Sequence, residues 1–585
     1  MKNAYARGFT TAVWLLAAVA GCSRSGTDSR PQAAASTPPA APASASASAA
    51  AAHAMPAGPS TVAQWARGAR LFEGLGSAHR AISSQSAEAG RYFDQGMALL
   101  WAFNHDEATR SFAKAAELDP QCGICFWGVA LTIGPNYNFG VMDQARANVA
   151  AEAIDKARAA PHASELERAL IEAVAQRYPK AKPLDPSSSP PFLQAYAAAM
   201  KQVATRFPQD LDVQTLYAEA LMNTIPWRLW DAQGKPAPAT AEILQTLESV
   251  LKRDPKHAGA NHYYIHAVEA GPHPEMGLAA SARLPALMPG AGHLQHMPAH
   301  ILQRVGQYEE AAEANRKGVA ADQAYFAATT APDYYAMYLA HNYQFLAFAT
   351  AMEGRKAETL QSVSSLRKAA PEAMLMQMPG VDWSAAEGYF VLLRFGVWEQ
   401  LLAEPAPTAS LPGLMGGYLY ARGTALAATG QVAEAKVVLG QLQQRAAAAP
   451  ADAPAGNNTL KDVLGLAVTC LEARIASAEN RSDDAIALLK EAALKEDHLS
   501  YDEPKDWFVP VREVLGAELL KAHRAAEAEK VYWEDLARNP HNGWALFGLR
   551  AALTAQSKST EAKRVGKQFD AAWQHADITL SASAF

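Results

Sequence analysis

The stretch Tyr92-Phe-Asp-Gln-Gly96-Met-Ala-Leu-Leu-Trp101-Ala-Phe-Asn-His105-Asp-Glu-Ala108-Thr-Arg-Ser-Phe112-Ala-Lys-Ala115-Ala-Glu-Leu-Asp-Pro120 decides the fold. It suits two helices folded back on each other. Gly96 and Ala108 are small where two antiparallel helices would cross closely. Phe112 fills the space between them, and Pro120 ends the second helix because proline cannot continue it. Near the other end Leu515, Gly516, Ala528, Tyr532 and Pro540 repeat the pattern. Between them the marks recur as Gly306, Tyr308 and Ala311, then Gly354 and Pro371, then Gly423, Gly430 and Ala435, then Ala473, Ala485 and Ala492.

These spacings resemble the tetratricopeptide repeat (TPR), a helical hairpin of about 34 residues. The usual Trp and Leu positions hold Tyr92 and Gln95. The resemblance implies an all-α solenoid of about seven to ten hairpins stacked into a right-handed superhelix, since no hairpin hides its apolar face alone. Four segments also look like a broad family of exported bacterial TPR proteins. They are Phe103-Asn-His-Asp-Glu-Ala108, Asn261-His-Tyr-Tyr-Ile-His-Ala-Val-Glu269, His296-Met-Pro-Ala-His-Ile301 and Tyr501-Asp-Glu-Pro-Lys-Asp-Trp507. That likeness covers most of residues 70–555. It implies fold and location, and no activity.

Composition agrees with close-packed helices. Alanine is abundant and half the residues are apolar, with 19% charged, which is ordinary for a soluble protein. A net charge of −6 gives no basic footprint for nucleic acid. Four cysteines are too few for a disulfide scaffold of 585 residues.

The N-terminus reads as an export signal. Lys2 and Arg7 supply a charged start and Phe9 to Ala20 a short apolar core. Val19-Ala20-Gly21-Cys22 resembles a lipobox, which implies lipidation at Cys22 and a membrane contact through that anchor alone. Ser23 then implies the outer membrane, with the body facing the periplasm or the cell surface. An ordinary secretory signal cut near the same place is the alternative. Residues 23–60 are Ala-, Ser- and Pro-rich and read as a disordered tether. The body then divides into N-terminal hairpins (61–140), irregular hairpins with insertions (141–250), hairpins carrying a histidine cluster (251–375) and C-terminal hairpins with a cap (376–585). The insertion Ile225-Pro-Trp-Arg-Leu-Trp-Asp231 is aromatic and reads as packing over a helix end, or as lining a ligand groove.

Seven of the 16 histidines lie from His257 to His300. His262 to His296, and His266 to His300, are each one repeat apart. A helix turns about 100° per residue, so His262, His266 and Glu269 fall within about 60° of one another. Such H-x-x-x-H spacing presents two imidazoles for metal chelation. Pro298 favours a helix beginning near Met297, leaving His293 and His296 in the approach turn. The expected ligands are His262, His266 and His300, completed by His296 or Glu269, with Zn, Cu, Ni or Fe as the fitting ions. Glu269 also suits a base or a partner to a histidine. His293, His341, Tyr263 and Arg304 are expected to face the concave groove. A groove of neutral histidines binding a peptide or anion, and purely structural histidines, remain open beside the metal reading.

Cys122-Gly-Ile-Cys125 opens a helix, which lowers a thiol pKa. The pair reads as small buried cysteines, with a disulfide after export or a thiol redox role as further readings. His105 reads as local hydrogen bonding, Asp502, Glu503 and Asp506 as helix capping, and Cys470 as core. No nucleotide-binding or hydrolase motif appears. The function this supports is an envelope-anchored TPR scaffold binding a protein, peptide or small ligand in its groove. A metalloprotein or metalloenzyme centred on the histidines is the alternative, and no reaction is assigned.

Overall fold

A computed structural model describes residues 58–329, 333–378 and 380–585, with side chains of the helix Asp333–Met352 described from Tyr335 onward. The signal segment, Cys22 and the tether up to residue 57 lie outside the described residues. The rest forms one compact unit of successive helices. Among the described residues the only strands are the two-residue pair Pro454–Ala455 and Asn458–Thr459.

The expected hairpins are present and show why the repeat needs glycine. In the first, Ala87–Trp101 packs on His105–Leu118. A Cβ on Gly96 would sit 2.6 Å from the Phe112 ring. A Cβ on Gly128, in the next helix Gly123–Thr132, would sit 2.3 Å from the same ring. Phe112 is thus clamped between two bare helix backbones. The helices Val511–Lys521, Ala525–Arg538 and Gly543–Ala555 repeat this around Tyr532, with Gly516 and Gly548 at 2.3 and 2.2 Å. The structure is an all-α, TPR-type solenoid built from the same local rule at both ends.

A second rule links the repeats. Among the described residues, eight first helices end on a residue of positive φ, namely Phe103, Gly306, Gly354, Gly396, Gly430, Asn480, His523 and Ser557. In each case the next N–H bonds back to the carbonyl five residues before it, for example Asn104 to Leu99 and Gln307 to Leu302. This left-handed closure satisfies carbonyls the helix end would otherwise strand. Glycine adopts it freely, whereas Phe103 holds φ of 54° at a cost of about 1–2 kcal/mol.

The core falls into two main apolar clusters, one drawn from residues 62–338 and one from 308–580. The later half returns to the earlier one. The Arg304 guanidinium lies over the Tyr501 ring, and His300 Nδ1 meets Glu503 Oε1 at 2.8 Å. The segments around Asn457 and Glu503 line a cavity on the inner face together with the histidine-bearing helices.

Candidate metal centre

The helix Ala258–Glu269 begins where the His257 imidazole caps it, Nδ1 accepting the Ala260 N–H at 3.1 Å. His262, His266 and Glu269 follow on one side, all buried. His293 and His296 do not lie in an approach turn as expected. They sit on their own short helix, Gly292–His296, and Pro298 opens the next, Pro298–Arg304. Met297 between them keeps helical φ and ψ, so Pro298 interrupts the hydrogen bonding without unwinding the chain. Gly292 allows the close seat of this helix: a Cβ there would stand 2.0 Å from Asp322 Oδ1.

Six histidines converge in two triads. His262, His266 and His293 present ring nitrogens within 4.8 Å of one another, and so do His296, His300 and His341. The ligand set expected from sequence is thereby divided: His262 and His266 go with His293, and His300 goes with His296. A third grouping at the same spacing joins His266, Glu269, His300 and Glu503.

The hydrogen bonds fix which nitrogen is bare. His262 Nδ1 donates to Trp101 O at 2.6 Å, leaving Nε2 with its lone pair when the ring is neutral. That atom stands 3.1 Å from His293 Nε2, and two imidazole nitrogens bound to one ion at about 2 Å stand roughly this far apart. His266 Nδ1 meets Glu269 Oε1 at 2.8 Å, while its buried Nε2 has no partner. His296 Nδ1 meets Asn315 Oδ1 at 2.6 Å, an oxygen identified because Asn315 Nδ2 donates to Ala311 O. His300 Nδ1 faces Glu269 Oε2 at 2.7 Å and Glu503 Oε1 at 2.8 Å. Nε2 of His296 and His300 lie 2.6 Å apart. Both Nδ1 atoms are committed, so this contact is met either by a protonated His300 donating Nε2–H to His296 or by an ion between the two nitrogens. His262, His266, His296 and His300 thus anchor Nδ1 to an oxygen and turn Nε2 inward, the arrangement of metal-binding histidines, whereas the buried Nδ1 of His293 has no partner.

Burial and charge act on these rings in opposite ways. Burial pushes His262, His293 and His296 well below the usual imidazole range, helped by neighbouring histidines. It takes His266 and His341 down to about 3. His266 thus meets Glu269 as a neutral donor. His300 suffers the same burial, but Glu503 and Glu269 outweigh it and hold the ring at about 9. Burial and the neighbouring Glu269 push the Glu503 carboxyl well up in turn.

Aromatic rings wall each triad. Phe103 lies 4.5 Å from His262 and 5.6 Å from both His266 and His293, centroid to centroid. Phe345 lies 4.7 Å from each of His296, His300 and His341. Beside the triads is a cavity of about 370 Å³, lined by His266, His293, His300, His341, Asp502 and Glu503 among others.

Other expectations resolve as follows. Tyr263 does not face the groove: it is fully buried against Trp101 and Phe103. Arg304 donates to Gly271 O and lines a separate cavity with Lys505 and Asp535. The aromatic insertion does both things open to it. Trp230 caps the histidine helix through Ala267 O at 2.8 Å, while Trp227 lines the cavity 5.9 Å from His266. Cys122 and Cys125 are joined in a disulfide and fully buried, rather than being two free thiols. His105 is buried beside Phe103, with its Nδ1 unpartnered. Cys470 is a buried free thiol in the core.

The acidic segment at 501–507 is more than helix capping, because Glu503 is buried against His300. Neither repeat period nor helical angle could place it there, since it arrives from the far half of the chain. The one signal was its presence among the four family-like segments. Phe103, His262, His266, His296, His300 and Glu503 all come from those segments.

No family model and no curated protein matches the chain. Among solved structures it is similar to the human IFIT1 dimer with m7Gppp-AAAA, at 11% identity and a TM-score of 0.31, over 83% of this chain and 90% of that one. It is also similar to yeast Tom70, at 11% identity and a TM-score of 0.28, over 83% and 93%. A further match is the P58(IPK) TPR domain, at 11% identity and a TM-score of 0.22, over 81% and 100%. TM-scores this low leave the overall courses of the chains unmatched, so the TPR-type fold rests on the clamped aromatics and left-handed turns of the chain itself.

Proposed function

We propose that this protein is a helical-repeat scaffold whose inner face holds a transition metal and admits a small ligand to it. The observation that carries this reading is the pair of inward Nε2 lone pairs on His262 and His266, above all that of His266, which is buried without any partner. An orphaned buried nitrogen costs about 1–3 kcal/mol, and an ion would relieve that cost. Imidazole donors suit Zn, Cu, Ni or Fe. The cavity beside them is within the size range of small-molecule sites.

To test this, residues from Thr61 onward are purified without an affinity tag of histidines and compared with the H262A/H266A variant for metal content. The reading expects bound transition metal in the parent and a loss of at least one ion per chain in the variant, with helicity kept. Equal metal in both proteins places the ion elsewhere.

We propose further that the body works outside the cytoplasm, tethered by lipid at Cys22. The charged and apolar N-terminal pattern supports this, as does the Cys122–Cys125 disulfide, a bond that persists in oxidising compartments. A C22A variant is expected to move from the membrane to the soluble fraction; continued sedimentation with membranes rules the anchor out.

A further inference from the structure

The two triads share no residue, and that invites a count of the ions. We propose that the cluster is a dinuclear copper centre, one ion held by His262, His266 and His293 and the other by His296, His300 and His341. This rests on the metal-binding reading above and goes beyond it in number, ligands and element.

Each triad has the same construction. An H-x-x-x-H pair supplies two rings (on one helix for His262 and His266, across the break at Met297 for His296 and His300), a different helix supplies the third, and one phenylalanine packs on all three. Phe103 serves the first triad and Phe345 the second. Glu269 joins the two. Its Oε1 accepts from His266 of one triad at 2.8 Å and its Oε2 from His300 of the other at 2.7 Å. One carboxylate thus orients a ligand of each ion from behind, a positioning role.

The triads are neighbours. Ring centroids of His266 and His300 are 5.6 Å apart, and those of His293 and His296 are 5.9 Å apart. Ions about 2 Å from each nitrogen would lie close enough for one small ligand from the cavity to touch both, as in two-metal sites at about 3.5–4 Å. The donors are six imidazoles, with no thiolate. Copper binds nitrogen sites above the other common divalent ions. Glu269, bonded to a ligand of each ion, offsets part of the charge of two Cu(I) ions, and a buried charge needs such balance.

The body from Thr61 onward is titrated with Cu(I) under anaerobic conditions, and a second sample with Cu(II) is read by electron paramagnetic resonance. Two tightly held equivalents are expected, with Cu(II) spin intensity well below two per chain because neighbouring ions couple. One equivalent overturns the pair and leaves the metal-binding reading standing, whereas none overturns both. Two equivalents at full, uncoupled intensity mean separate sites and also overturn the pair.

His293→Ala and His341→Ala are each expected to drop the count to one or below, with helicity checked by circular dichroism. Retention of two ions in either overturns that triad. Glu269→Gln is expected to keep two ions; loss of one there would move the ion to the grouping of His266, Glu269, His300 and Glu503, against the proposal. The parent titration decides the count even if a variant fails to fold.

Discussion

Glu503 places its Oε1 2.8 Å from Nδ1 of His300, although the two come from opposite halves of the chain. The contact ties the later half of the solenoid to the histidine cluster of the earlier half. Outer carboxylates of this kind typically raise metal affinity by about 10–100-fold. Glu503→Gln should therefore weaken metal binding by about that factor while leaving the number of ions unchanged at saturating metal. A competition titration against a chelator of known affinity measures it; an unchanged affinity would show that Glu503 does not support the site.

Phe103 holds a left-handed turn that glycine occupies at Gly306, Gly354, Gly396 and Gly430. Truncating a buried Phe to Ala costs about 3–5 kcal/mol, and the turn strain would persist in the Ala variant. Glycine loses the same ring but relieves strain of about 1 kcal/mol. Phe103→Gly should accordingly be more stable than Phe103→Ala, the reverse of the usual order. Denaturant melts of the two variants decide this, and a less stable Gly variant would refute the strain.

Gly128 and Gly440 are both helical, yet they should respond oppositely to alanine. A Cβ on Gly128 would meet Phe112 at 2.3 Å, so Gly128→Ala should destabilise by about 1–3 kcal/mol. Gly440, in Val432–Ala448, has nothing within 4 Å, and Gly440→Ala should stabilise by roughly 0.5–1 kcal/mol. Equal thermal shifts would mean that the clamped-aromatic rule does not govern the repeats.

Asp322 accepts from Tyr335 Oη at 3.2 Å and Asn342 Nδ2 at 2.7 Å, and burial raises its carboxyl from 3.8 to about 7. The folded chain then keeps a proton that the unfolded chain releases. This stability is full below pH 3.8 and is lost as pH rises through 7, a change on the order of 4 kcal/mol. Asp322→Asn should flatten that part of the profile, since Asn342 Oδ1 is unpartnered and its amide can turn to accept. Melts at several pH values between 4 and 8 test this; a parallel slope in the variant would assign the pH dependence to other groups.

The repeats were legible because their signals are local. Gly96, Ala108, Phe112 and Pro120 report a hairpin from spacing alone, and the structure closes that hairpin around the ring. The two histidine pairs were legible for the same reason, as helical angle and repeat period both act over short distances. The division into triads was not, because the third ligands arrive from other helices. His293 and His341 carry no mark separating a metal ligand from a groove-lining ring. Tyr263 shows the limit of angle arguments: it follows His262 directly yet turns into the core against Trp101. Glu503 depends on how the two halves meet, which no local pattern records.

Metal ions between the inward Nε2 atoms are what the proposed function requires. The most direct measurement is X-ray diffraction from crystals grown with copper, collected on both sides of the copper absorption edge. The account predicts anomalous peaks within bonding distance of Nε2 of His262 and His266 and of His296 and His300. A map with no anomalous density inside the histidine cluster, from crystals whose solution held saturating copper, would contradict it.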